Sequence, residues 1–120
     1  MAHYSAPLRS YPEASAWLGN RARRKVAHNT YLERHGDALR LLYHRTYVAT
    51  LLPDGSAELF TGGWNTSTTR ERIGWVRPCY MKGGTILAET PIGGVEMGGA
   101  TLTVTPDGFA LDPLGRPLMP

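Results

Sequence analysis

The run FTGGWNTSTTRERIGW, residues 60–75, crowds a Gly-Gly pair, Trp64, several hydroxyl side chains and two arginines into one short stretch. Two chemistries fit it. A Gly-Gly loop leading into a helix start presents free backbone N–H groups, which can hold an anion. Arg70 and Arg72 stand in the expected first turn, where a cation opposes the helix dipole, so they read as serving a ligand. The same hydroxyls also satisfy a helix start: Thr68 and Glu71 have capping-box spacing, and Thr66, Ser67 and Thr69 are further cap candidates. Neither GxxxxGK[ST] nor GxGxxG occurs in the chain, so no phosphate-loop motif decides between the two.

A second cationic feature is RARRK, residues 21–25. Residues 1–45 carry eight Lys/Arg against three acids, and residues 46–120 carry five against seven, so a net charge of +3 is distributed as +5 and −2. A basic patch of this kind attracts polyanions through counterion release. The candidate nucleic-acid or anion-binding residues are therefore Arg21, Arg23, Arg24, Lys25, Trp64, Thr66, Thr68, Arg70 and Arg72. Tyr31, Tyr43 and Tyr47 join Trp64 as aromatics that could offer a stacking surface or pack the sheet.

Other chemistries find less support. His3, His28, His35 and His44 have no cysteine pairing, no HxxxH spacing and no acidic triad near them, so no metal or other cofactor is expected. Ser56 and Ser67 lack a strained-elbow context, and the pairs Asp54/Glu58 and Asp107/Asp112 sit in or near turns. The single cysteine, Cys79, cannot form an internal disulfide and reads as a small buried hydrophobe. No catalytic residue is assigned, and a non-enzymatic protein is expected. The opening MAHYSAPLRS has no basic segment followed by an apolar run, and no stretch approaches a membrane span, so no membrane partner is expected.

These residues need elements to hold them. At 120 residues the chain fits one domain, with 10–26 a basic helix, 29–77 a core sheet plus helix, and 78–120 a Gly/Pro-rich hairpin and tail. Ser10 and Glu13 form a capping box, Pro12 suits a first turn, and Ala14, Trp17 and Leu18 share one helical face. RARRK then falls in the last turns, where cations suit the dipole, although Gly19 and Asn20 weaken the middle. From residue 29 to 63, β-branched and aromatic runs alternate with turn signals. Pro53-Asp54-Gly55 closes one hairpin, and simple alternation puts Tyr47 and Ala49 on one face, Val48 and Thr50 on the other. A helix over 69–77 stops before Pro78 and docks Ile73 and Val76. TILAET and ATLTVT read as strands, the latter turning at Pro106-Asp107-Gly108 into a second hairpin, and DPLGRPLMP as a tail or extended arm. The fold class expected is α+β, a small antiparallel sheet with two short flanking helices and a C-terminal β-hairpin.

Across residues 28–77 the chain resembles a group of small uncharacterised proteins of actinobacterial phages and mobile elements. The resemblance rests on Asn29, Thr30, Leu32 and Glu33; on His44, Thr46, Val48 and Thr50; on the Pro-Asp-Gly turn; and on Gly62, Gly63, Trp64, Thr66, Thr68, Thr69, Arg72 and Ile73. It implies a phage setting and the host cytoplasm rather than a reaction. Two partner classes follow: nucleic acid or a nucleotide, and, as the alternative, a host protein or copies of the chain itself, met by a Gly/Pro-rich last third able to add a strand.

Overall fold

The computed structural model describes residues 7–120, so His3 lies outside them. The alternating runs form α1 (Tyr11–Leu18), β1 (Arg23–Ala27), β2 (Thr30–His35), β3 (Ala38–Tyr43), β4 (Thr46–Leu51) and β5 (Ala57–Leu59). After them come α2 (Ser67–Gly74), β6 (Cys79–Lys82), β7 (Thr85–Thr90), β8 (Gly93–Glu96), β9 (Leu102–Val104) and β10 (Ala110–Leu111). Seven strands make an antiparallel sheet in the order β1-β2-β3-β4-β5-β9-β10, and β6-β7-β8 make a second, smaller one. The α+β expectation therefore holds in outline. The excursion between the neighbours β5 and β9 brings α2 and the small sheet against the larger sheet.

Register explains the layering. Leu32, Leu41, Ala49, Leu59 and Leu102 stand opposite one another across five strands, and all are buried. That row faces Ala14 and Leu18 of α1, Ile73 of α2 and Val76 beyond it, and Ile86, Ala88 and Val95 of the small sheet, in one continuous core. Burying the leucine, isoleucine and valine side chains among these contributes about 1.5–3 kcal/mol each. The adjacent row, Glu33, Arg40, Thr50, Glu58 and Thr103, belongs to the opposite face. It carries only charged and hydroxyl side chains, as the polar side of a sheet covered on one face should.

Four expectations need correction. The helix over 10–26 stops at Leu18: Gly19 takes φ 64 and donates its N–H to the Ser15 carbonyl. RARRK instead leads into β1, an edge strand paired with Glu33, Leu32 and Tyr31, so the helix dipole does not account for its charge. A helix through Gly19 and Asn20 costs up to about 1 kcal/mol for the glycine alone, whereas the strand gains a full ladder. The helix over 69–77 starts and ends earlier, with Thr66 as N-cap, its Oγ1 accepting from the Thr69 N–H at 3.1 Å, rather than Thr68. A bulge beside Leu41 and Leu42 makes Tyr47 face Leu42 while Ala49 faces Leu41, so these two lie on opposite faces and Val48 turns inward. Finally, DPLGRPLMP folds back rather than extending. The Asp112 carboxylate accepts the Leu114 and Arg116 N–H groups, Pro117 bridges Leu111, and Leu118 packs on the core. Among the described residues no helix is long and apolar enough to cross a membrane.

On the open face Glu33 accepts from the Tyr47 hydroxyl at 2.8 Å, meets His35 Nε2 at 3.0 Å, and lies 3.6 Å from Arg23 Nε. Burial would raise the Glu33 pKa. The hydrogen bonds from His35 and Tyr47 and the charge of Arg23 outweigh it and hold the carboxyl below its ordinary value of 4.5. A depressed carboxylate stabilises the fold above its unfolded pKa, and that contribution is lost as pH falls through the folded one. Urea midpoints measured from neutral pH downward should therefore begin to fall as pH passes 4.5, and Glu33→Gln should flatten that part of the slope.

Candidate functional site

A single side chain organises the region around Trp64. Arg72 is 4% exposed. Its Nε donates to Thr30 Oγ1 at 2.9 Å, Nη2 donates to the His28 carbonyl at 3.5 Å, and Nη1 meets the Glu71 carboxylate at 2.5 Å. The guanidinium lies 4.4 Å over the Trp75 ring and 5.3 Å from the Tyr43 ring centre. These contacts tie α2 to the turn between β1 and β2. Arg72 is therefore spent within the fold and does not present its charge to a ligand.

Two tight turns then face the Gly-Gly loop. Asn29 and His44 adopt left-handed backbone, φ 52 and 55, and the His44 N–H donates to the Asn29 carbonyl at 2.9 Å. Asparagine tolerates this region; histidine does so at a cost. Gly62 and Gly63 follow with φ 64 and 85. A Cβ on Gly62 would stand 3.0 Å from Thr46 Cγ2, so glycine is required there for space as well as conformation. The Trp64 N–H donates to the Thr61 carbonyl at 3.0 Å, which turns the indole outward, 64% exposed.

The result is a pocket of about 640 Å³ lined by Asn29, Tyr43, His44, Arg45, Thr46, Val48, Thr61, Trp64, Thr66 and Thr69. The rings of Tyr43 and His44 are 4.5 Å apart and tilted by 53°. Aromatic faces, hydroxyls, one amide and the exposed Arg45 thus converge on one concavity. Among the described residues no group of three or more His, Cys, Asp or Glu could hold a metal ion. Cys79 is buried beyond α2, donates to the Arg70 carbonyl at 3.3 Å, and has its thiol pKa pushed up by that burial.

Of the nine residues expected from sequence, Trp64 and Thr66 line the pocket, and Thr68 and Arg70 sit on α2 outside it. The RARRK residues do not reach it. Arg24 lies 4.0 Å over the Trp17 ring and donates to the Trp17 carbonyl at 2.7 Å. Arg23 lies 4.0 Å over Tyr31 and beside Glu33. Arg21 and Lys25 are exposed. Arg23 pairs with Glu33, three positions along β2 from Thr30, so it stands about 10 Å from the Asn29 end of the sheet. The chain's basic run and its Gly-Gly-Trp loop therefore do not form one site. Tyr43, named from the sequence as a stacking aromatic, also lines the pocket; sequence reasoning missed Asn29, His44, Arg45, Thr46 and Thr61 as pocket residues. The available signal was the pair of turns, Asn29-Thr30 and His44-Arg45-Thr46, each followed by a strand that must start at the same end of the sheet.

Residues 12–88 match the family model of the Kyanoviridae Gp96 protein. The chain belongs to that family. Every residue lining the Trp64 pocket falls inside the matched segment, and 89–120 lie beyond it. Membership of the Gp96 family makes this a small phage protein, a setting shared with the group that the sequence resembles. No curated protein and no solved structure matches the chain.

Removing a buried, multiply bonded charge leaves its partners unsatisfied, at a cost of about 3–5 kcal/mol. Arg72→Ala should lower stability by that order in urea denaturation, whereas Arg23→Ala, whose side chain is 52% exposed, should change it by about 0–1 kcal/mol.

Proposed function

We propose that this Gp96-family protein is a non-enzymatic binding protein of the host cytoplasm whose Trp64 pocket takes a nucleotide-like anion, either free or as an unpaired nucleotide of a nucleic acid. One observation carries the reading: an exposed indole, the Tyr43–His44 ring pair, Arg45 and several threonine hydroxyls border one concavity of about 640 Å³. A base has a flat π-face that stacks on aromatic rings, and its phosphate takes charge-assisted hydrogen bonds. An unpaired nucleotide is favoured over duplex because the basic strand offers little continuous free charge. Arg23 and Arg24 are each occupied by an aromatic ring and by Glu33 or a carbonyl.

Tryptophan fluorescence tests this when the wild type is compared with Trp64→Ala. Trp75 is buried, Trp17 is half-buried beneath Arg24 and Trp64 is exposed, so the quenching assigned to the pocket is the part that Trp64→Ala removes. Mononucleotides and short single-stranded oligonucleotides should quench the emission at about 50 mM salt and less at about 200 mM. Trp64→Ala should cost about 1–3 kcal/mol of binding while leaving the urea midpoint nearly unchanged. Absence of quenching and of binding by anisotropy at the lower salt would end the reading.

A second reading, a module that binds a host protein or copies of itself, is supported by Ile92, Phe109, Leu114 and Met119. These are large apolar side chains exposed in the last third of the chain. Light scattering of the purified protein should then give a discrete oligomer free of nucleic-acid absorbance; a monomer that retains no host protein counts against it.

A further inference from the structure

RARRK is the densest basic run in the chain, yet the fold assembles guanidinium groups without ion-pair partners elsewhere. Arg9, just before α1, donates Nη2 to the Gly74 carbonyl at 2.9 Å, at the C-terminal end of α2. Arg77, three residues further on, donates Nη1 to the Arg9 carbonyl at 3.1 Å and to the Val76 carbonyl at 2.8 Å, and Nη2 to the Gly55 carbonyl at 2.8 Å. Residues 65 or more positions apart in sequence are thereby held side by side. Arg70 approaches the same turn from α2, with a guanidinium nitrogen 3.2 Å from where a Cβ on Gly74 would sit. Arg9 and Arg70 are both close enough to Cys79 for their charges to act on its thiol.

Among the described residues none of these three arginines forms an ion pair. Their bonds to carbonyls satisfy N–H groups but bring no negative charge, and a guanidinium offers five donors. Arg9 and Arg77 line a cleft of about 500 Å³ together with Ser10, Ser56, Thr105 and Asp107. Asp107 is the one carboxylate among the cleft's lining residues; it is exposed and lies in the turn of the β9–β10 hairpin. Burial, and then the like charge of Arg9, pull the Arg77 pKa below its ordinary value.

We propose that the Arg9–Arg77 cleft is a binding site for the phosphate group of inorganic phosphate or of a phosphate monoester. A dianionic terminal phosphate matches two guanidinium groups in charge and takes the N–H groups that their carbonyl bonds leave unused, where a carboxylate would neutralise only one. The Ser10 and Thr105 hydroxyls accept from the Glu13 and Phe109 N–H groups and keep their own protons to donate to the remaining oxygens, whereas the Ser56 hydroxyl is already donated to the Asp54 carboxylate. This inference is independent of the Trp64 pocket. The two concavities lie at opposite ends of β4, one lined by Leu51 and the other by Thr46, about 15 Å apart along the strand.

Amide chemical shifts of the full chain, followed by NMR at about 50 mM salt, provide the test. Inorganic phosphate should shift Gly55, Ser56, Thr105 and Gly108, all at the cleft. Arg9→Gln should weaken that binding about tenfold, and Asp107→Asn should strengthen it about two- to fivefold by removing a like charge. Trp64→Ala should leave it unchanged. Comparing inorganic phosphate with a 5′-phosphorylated and a 5′-hydroxyl oligonucleotide identifies the source. Preference for the 5′-phosphorylated strand assigns the cleft to a nucleic-acid end, and equal use of inorganic phosphate assigns it to a small molecule. Shifts confined to the Trp64 pocket, no shift at about 20 mM phosphate, or equal affinity in Arg9→Gln and Asp107→Asn would overturn the proposal.

Discussion

Everything around the Trp64 pocket depends on one buried cation. Arg72 lies between two aromatic rings and reaches across to the hydroxyl of Thr30, a residue with no exposed surface. A guanidinium removed from water is unfavourable unless its donors and charge are met. Here Thr30, the His28 carbonyl and Glu71 meet them. That requirement locks the first turn of the sheet to the second helix, and the Gly-Gly loop has then to pass over the β3–β4 turn. The concavity forms where the loop and the turns cannot close upon each other. The left-handed backbone at Asn29 and His44 is a conformational cost carried by the same arrangement.

Charge in this protein divides into cations that hold the fold and cations that remain available. Arg24 stacks on Trp17 and Arg34 bonds the α1 backbone at Ser15 and Gly19, so both fasten α1 to the sheet. Arg72 fastens α2. Arg23 is shared between Tyr31 and Glu33 on the open face. What is left over lies at Arg45 beside the pocket, at Arg9, Arg70 and Arg77 near the end of α2, and at the exposed Arg21, Lys25 and Lys82. The density of basic residues along the chain thus does not say which cations the fold consumes: in RARRK, Arg23 and Arg24 are occupied while Arg21 and Lys25 are exposed.

The strands between residues 30 and 59 were legible because their alternation, β-branched content and Pro-Asp-Gly turn all agree. The helix boundary at Leu18 was the weak point, since a capping box, a proline and basic residues point one way while Gly19 and Asn20 point the other. Cys79–Lys82 and Gly93–Glu96 were not legible as strands: the first follows a proline, the second opens on two glycines, and both exist by pairing with the apolar strand Thr85–Thr90. Of the pocket, Trp64 and Thr66 could be named because they sit in a dense local run and Tyr43 as an aromatic, whereas His44 and Arg45 carry no local mark of function.

By itself the sequence determined the extended segments between residues 30 and 59, where the two Pro-Asp-Gly hairpins turn, and that a hydroxyl-rich helix start follows Gly62-Gly63, because these depend on local backbone preference and alternation. Only the tertiary structure decided which arginines are consumed and which are free, and which turns share an end of the sheet. Those outcomes depend on register, on a one-residue bulge at Val48, and on contacts between residues dozens of positions apart, none of which local spacing encodes.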